Sequence, residues 1–264
     1  MPEGHTIARI ARDHGKLLHR RTIAVSSPQG RFADGELVDG HVLERIEPYG
    51  KHLFYWWANG HVGHVHLGLF GAFRVHRGDD PPEPRGAVRM RLQTNDCTID
   101  LAGPTTCTIG DESDREAILR RLGPDPLRKD ADPQVAINRI LRSKQAIGAL
   151  LLDQSVLAGV GNVYRAEALF VTGIHPSRPG CELDRIELEA LWTTIVGMLR
   201  QGVKDNQIIT VARHELAVTS GRRIRRGEAT LAYKRDRCLR CSSPIQAVEL
   251  GGRPCYYCPT CQPT

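Results

Sequence analysis

The sequence lacks any apolar stretch approaching the roughly 18 residues that a bilayer-spanning helix needs, so no membrane partner is expected. An apolar leader is missing too, because Glu3, Arg9, Arg12 and Asp13 interrupt the first residues. The expectation is a cytoplasmic protein, in a compartment where structural disulfides are rare. Eight cysteines then need another role, and five of them crowd into the last 27 residues. No sequence repeat is evident. Charge of one sign is only mildly in excess: 36 Lys and Arg face 30 Asp and Glu, for a net +6 and a pI near 9.0.

The excess is unevenly spread. Between residues 222 and 237 lie Arg222, Arg223, Arg225, Arg226, Lys234, Arg235 and Arg237, against only Glu228 and Asp236. Such a run is either a solvated face or a surface for a polyanion, since phosphate neutralisation supplies most non-specific affinity for nucleic acid. Hydrophobic residues at 41% and charged residues at 25% fit a soluble globular chain. Its 264 residues suffice for two ordinary domains and a small appendage.

Ile7, Ile10, Ala11 and Leu17 recur at helical spacing and predict an amphipathic helix over residues 4–18. From Arg21 to Gly110 the pattern is short and alternating, with Asn59-Gly60 and Asn95-Asp96 as hairpin turns, and reads as a β-sandwich or barrel-like domain. Ser113 and Glu116 suggest a capping box, with Gly123-Pro124 stopping the short helix behind it. The Pro- and Asp-rich stretch 123–133 reads as a linker. Helical spacing follows over 133–142 and 144–153. Leu188, Leu191, Trp192, Ile195, Met198 and Leu199 make a core stripe without chemistry. The tail from about Tyr233 reads as short strands and tight turns. The expected architecture is α+β and multidomain: a β domain at 1–123, a helical domain at 124–222 and a small finger at 223–264.

Three local patterns carry chemistry. Cys238-x2-Cys241 and Cys258-x2-Cys261 are two knuckles separated by sixteen residues, which suits four thiolates on one structural Zn2+. A redox pair is the alternative, and Cys255 stays a spare thiol. So small a segment would draw its folding energy from the metal. Asp153 to Asn162 is a Gly-containing joint between helices. There Asn162 is placed to cap the next helix, whose free amides would face an anion. Gly-x-Gly-Asn alone more often marks a plain turn. Finally, removal of Met1 would expose the secondary amine of Pro2. An α-amino group titrates near 7.7–8.0, and its attack on a sugar aldehyde carbon gives an iminium that acidifies the next proton. Glu3 beside it could protonate the sugar oxygen.

Taken together, Pro2-Glu3-Gly4, Gly50-Lys51-His52-Leu53, His66-Leu67-Gly68-Leu69, Leu122-Gly123-Pro124, the Asp153–Asn162 segment and Gly252-Arg253 through Cys261 resemble the formamidopyrimidine-DNA glycosylase and endonuclease VIII family from end to end. The resemblance implies a β-sandwich with an N-terminal helix, a helix–two-turn–helix domain and a zinc finger. It implies a base-excision repair glycosylase and lyase acting on double-stranded DNA with damaged bases or abasic sites. Single-stranded DNA, a monomeric state and association with the nucleoid enter as further expectations. By resemblance Pro2 is the Schiff-base nucleophile, Glu3 the proton donor and Lys51 an aid to β-elimination. Asn162 and Arg253 clamp phosphates, Arg253 also serves δ-elimination, and Leu69 and Phe70 fill the gap left by an everted nucleotide. Core packing is the plainer reading of that last pair.

The chain departs from the family pattern at His5-Thr6, where Pro-Glu is frequent, and at Cys255, where a hydroxyl residue is frequent. The first removes a supporting carboxylate near the nucleophile. Residues 95–110 hold no arginine and no aromatic side chain, and 221–238 is short and charged. In the family that this chain resembles, guanine-preferring members carry an Arg and a Phe on that first-domain loop and a longer segment before the finger that folds over the everted purine. The resemblance therefore implies oxidised pyrimidines over 8-oxoguanine. Two other readings are a non-catalytic module for damaged DNA and a zinc-stabilised RNA binder. Retention of Pro2 and Glu3 argues against the first. In the second, the N-terminal amine and the 69–70 loop would have no purpose.

Overall fold

The structure, a computed structural model, describes residues 2–211 and 228–264 and divides into two units. One comprises the first three residues and 7–121; the other comprises 4–6 and 122–264. Helix α1 (Gly4–Leu18) therefore starts in one unit and continues in the other. No helix of the described residues is long and apolar enough to cross a membrane.

In the first unit eight strands form one hydrogen-bonded set: β1 (Arg21–Ser26), β2 (His41–Tyr49), β3 (His52–Trp57), β4 (Val62–His66), β5 (Ala72–Arg77), β6 (Val88–Gln93), β7 (Cys97–Ala102) and β8 (Thr106–Gly110). Their order is β5-β7-β6-β1-β2-β3-β4-β8. Strand β1 is the corner. Arg21–Ile23 pair with β2, whereas Ala24–Ser26 pair with β6, so one strand serves two sheets as in a folded sandwich. Period-two alternation sends Leu53, Tyr55 and Trp57 into a core with Ile23, Val25, Val65, Leu92 and Ile99, which Ile7, Ala11 and Leu18 of α1 join. Both predicted turns fall between paired strands.

The helix after β8 starts earlier than its sequence suggests. In α2 (Glu112–Leu119) the N-cap is Asp111, whose carboxylate accepts from the amides of Ser113 and Asp114, while Asp114 reaches back to Asp111. Asp111 stands in extended backbone, the conformation a cap requires, and Ser113 is already inside the helix. The helix ends at Leu119, before Gly123-Pro124 can act on it.

The second unit packs α3 (Pro133–Leu141), α4 (Ile147–Leu150), α5 (Asn162–Thr172) and α6 (Arg185–Asp205) with a hairpin of β9 (Gln246–Leu250) and β10 (Arg253–Tyr257). Asp132 and Asp184 cap α3 and α6. Leu188, Leu191, Ile195 and Leu199 of the predicted stripe are buried, with Trp192 and Met198 half-buried against the same core. Of the expected helix 144–153 only Ile147–Leu150 is helical: Ala146 forms an isolated bridge to Pro179 before it, and a turn at 151–152 follows it. Gly251 and Gly252 both carry positive φ, 61° and 69°, the requirement of a two-residue hairpin turn. That turn puts Arg253 at the start of β10.

Candidate functional site

Pro2 is half-buried and Glu3 fully buried. Glu3 forms the N-cap position of α1 without a side-chain bond to its amides, so its carboxyl group is not consumed in capping. The next residue, Gly4, donates its amide to Gly159 O at 2.8 Å, which ties the start of α1 to the Asp153–Asn162 segment. His5 is buried with its ring edge-on to Tyr164, centroids 5.2 Å apart. Burial holds its pKa down to about 4, so this ring is neutral near pH 7. It packs and does not replace the charge of a carboxylate.

Lys51 sits in the β2–β3 turn, half-buried, and opens a row of imidazoles. His52 on β3 pairs in register with His66 on β4, and its Nδ1 lies 2.9 Å from His64 Nε2. Burial and then the neighbouring rings and cations lower His52 to about 3, and burial lowers His64 to about 4 and also depresses His66. His52 and His64 are thus neutral near pH 7, with Phe54 stacked on His64 at 5.1 Å and the Arg115 guanidinium over the Phe54 ring.

Strand β4 runs into the loop that carries Leu69 and Phe70. These side chains are 54% and 87% exposed, which excludes core packing for the pair. The loop is tight: Gly71 N bonds Leu67 O at 2.9 Å, and Gly68 has φ +64°, where a Cβ would collide with the Thr105 hydroxyl. Only glycine fits there. The β7–β8 turn beside it is as short, with Gly103 to Thr105 alone between the strands.

In the second unit the structure joins Asn162 to the hairpin that carries Arg253. Asn162 is the first residue of α5, and the cap position belongs to Gly161, so its side chain does not cap as its sequence position suggests. Instead Nδ2 donates to Pro254 O at 3.1 Å and Oδ1 accepts from Arg165. Arg165, with no exposed surface, also donates to Gly148 O at 2.9 Å, Leu250 O at 2.8 Å and Arg253 O at 3.1 Å. Two residues on, buried Glu167 accepts from the amides of Leu231, Ala232 and Tyr233 at 2.6–2.9 Å and from the Thr210 hydroxyl. Neither charge was singled out from the sequence. The available signal was an ion of each sign inside the stretch 163–171, whose other residues are Val, Tyr, Ala, Leu and Phe.

The four thiols of Cys238, Cys241, Cys258 and Cys261 converge, with sulfurs 3.4–3.8 Å apart across three pairs. A tetrahedral ion with bonds of about 2.3 Å requires sulfurs about 3.8 Å apart, so the set fits thiolate ligation of one metal. Cys255 is not among them. It is buried in the core of the helical unit, where burial, partly offset by Arg165, pushes its thiol up to about 11; it is a packing residue without thiolate reactivity. Of the basic run, Arg222, Arg223, Arg225 and Arg226 lie outside the described residues, as does Met1.

Comparison with known proteins follows the same three parts. Residues 1–105 match the formamidopyrimidine-DNA glycosylase N-terminal domain, 122–213 the H2TH domain of that glycosylase, and 235–264 the zinc finger found in FPG and IleRS. Endonuclease 8 1 of Mycobacterium tuberculosis is 44% identical over 99% of this chain and 100% of its own length. The chain belongs to the formamidopyrimidine-DNA glycosylase and endonuclease 8 family. An Escherichia coli endonuclease 8 is 30% identical with the same coverage. A Lactococcus lactis FPG variant solved with a Fapy-dG containing DNA has the same fold, with a TM-score of 0.80 and 21% identity over the whole of both chains.

Proposed function

We propose that this protein is a base-excision repair DNA glycosylase with abasic-site lyase activity, directed at oxidised pyrimidines. The observation that carries the reading is Glu3, a fully buried carboxyl residue directly after Pro2 and not spent on capping α1. Once Met1 is removed, the Pro2 amine attacks C1′ of the damaged nucleotide, the N-glycosidic bond breaks and the base leaves. Glu3 protonates the sugar ring oxygen as the ring opens to the iminium. The iminium acidifies C2′–H. Loss of that proton expels the 3′ phosphate, with Lys51 assisting, and a second elimination, assisted by Arg253, expels the 5′ phosphate.

Asn162 and Arg253 hold the phosphates flanking the lesion, and Leu69 and Phe70 enter the stack as the nucleotide leaves it. Cys238, Cys241, Cys258 and Cys261 hold one zinc ion, which supplies folding energy to the finger. Three features support the pyrimidine preference: the bare β7–β8 turn, the exposed pair on a single loop, and the 44% identity to an endonuclease 8. Of the short, charged stretch 221–238, residues 221–227 lie outside the described residues.

Borohydride added with abasic-site DNA should trap a covalent complex that Pro2→Gly or retained Met1 abolishes. Glu3→Gln should bind DNA yet fail to remove the base. Absence of trapping with the processed wild type would leave a non-catalytic binding module. Single-turnover excision of 5-hydroxyuracil should outpace that of 8-oxoguanine opposite cytosine, and the reverse order would move the protein to the other branch.

A further inference from the structure

Arg165 faces solvent nowhere, yet it reaches every part of the surface assigned above to phosphate. Its guanidinium grips Leu250 O and Arg253 O, the two carbonyls that flank the Gly251-Gly252 turn, and Gly148 O of α4. Another bond goes to Asn162 Oδ1, one helical turn before it. A guanidinium has five donors and no acceptor. The atom of Asn162 that faces it must therefore be the oxygen, whatever the amide would otherwise prefer. That choice sends Nδ2 the other way, to Pro254 O. An amide nitrogen carries two protons, and Pro254 takes one. The second is left as a donor. With the amide reversed, an acceptor oxygen would stand in its place and repel a phosphate.

We infer that Arg165 is the positioning residue of the phosphate clamp: it orients the Asn162 amide as a donor and fixes the backbone from which Arg253 projects, so that the two act as one unit. The inference rests on the reading that Asn162 and Arg253 contact DNA phosphates. Lysine cannot substitute, because a single ammonium cannot span oxygens spread along the two edges of a planar fork. The charge is retained in Arg165→Lys while the geometry is lost.

The test uses full-length zinc-loaded protein and a duplex with a tetrahydrofuran abasic analogue, with Kd measured across a salt series. Arg253→Ala should reduce the slope of log Kd against log salt by about 0.9, the loss of one phosphate contact. Arg165→Lys should do the same and weaken binding about tenfold, as expected for lost bonds to a charged group. Adding Arg253→Ala or Asn162→Ala to Arg165→Lys should cost little more. If the effects of the single variants multiply, or if Arg165→Lys lowers thermal stability without moving the salt slope, Arg165 is a structural residue only and the inference fails. If Arg253→Ala and Asn162→Ala each leave binding unchanged, the clamp reading itself fails. Should Arg165→Lys lose zinc and helicity, the wild type decides by NMR. The Asn162 Nδ2 protons, assigned by their absence in Asn162→Asp, should show Overhauser contacts to Pro254; contacts to the Arg165 guanidinium instead would overturn the inference.

Discussion

The loop of Leu69 and Phe70 and the clamp of Asn162 and Arg253 are both proposed to contact DNA, yet they are built in opposite ways. The loop projects two apolar side chains into solvent from a turn closed by backbone bonds, and the core of the sheet unit does not use them. The clamp depends on groups that are themselves interior: Asn162, Arg165 and Glu167 are all buried on one helix. An exposed tool can be changed without touching the fold. A tool mounted on buried charges cannot, because each unpaired donor or acceptor left behind costs its full desolvation. Function and stability should therefore separate in the first region and move together in the second.

The largest effect expected is at Glu167. Its carboxylate gathers three consecutive backbone amides and a hydroxyl, holding residues 231–233 and Thr210 against α5. Glu167→Gln replaces one acceptor oxygen by an NH2 group that faces donors. Two bonds to a charged group are lost, at about 1.5–3 kcal/mol each, so unfolding free energy should fall by roughly 3–6 kcal/mol. Affinity for abasic-analogue DNA should fall with it, since α5 carries Asn162 and Arg165. A stable Glu167→Gln protein with weakened binding would break the coupling claimed for this region.

This difference also sets how much the sequence could reveal. The sandwich, its turns and the four-cysteine set were legible because each depends on short-range pattern: alternation, Asn-Gly chemistry, knuckle spacing. So was α1, whose apolar residues follow the helical period over its whole length. Leu69 and Phe70 were ambiguous, since apolar residues after a strand read equally as core or as projection; the loop geometry, set by Gly68 against Thr105, decides it. Arg165 and Glu167 were legible only as one charge of each sign on an apolar helix, not by what they hold. Most of their partners are backbone groups, up to 88 residues away, and backbone groups leave no signature in the sequence. The cap at Asp111 was missed for a smaller reason: Ser-x-x-Glu and Asp-x-x-Asp overlap there by two residues, and both satisfy the pattern.

A middle-sized effect tests the sheet unit itself. His14 on α1 is buried, with Nδ1 2.8 Å from Tyr55 Oη, and burial holds its pKa down to about 4 against 6.5 for an ordinary histidine. The depressed value means that the unfolded chain takes up this proton first. Stability is full above pH 6.5 and is lost as pH falls from 6.5 toward 4, below which no further loss arises from this group. The loss between pH 8 and pH 4.5 is about 2–3 kcal/mol. His14→Gln keeps a polar partner for Tyr55 and should flatten this part of the profile in chemical denaturation. An unchanged slope would assign the acid sensitivity to His52 and His64, whose values are also depressed.

The smallest effect on stability, and the sharpest form of the comparison, belongs to Phe70. Because the side chain is almost wholly exposed, Phe70→Ala removes little buried surface, and the unfolding free energy should change by no more than about 0.5 kcal/mol. Leu69→Ala should cost slightly more, since about half of that side chain is covered. Excision should respond differently. Flipping a nucleotide out of a duplex costs a few kcal/mol, and a wedge in the vacated stack offsets part of it; losing roughly 1.4 kcal/mol of that offset slows single-turnover base removal about tenfold. The same variant should lose less on a lesion opposite a mismatched base, where unpairing is already cheaper. Trapping on single-stranded abasic DNA, with no partner strand to invade, should be nearly unchanged. A Phe70→Ala protein that unfolds several degrees early yet excises normally would show that the side chain packs in solution, and the contrast between the two regions would fail at its clearest point.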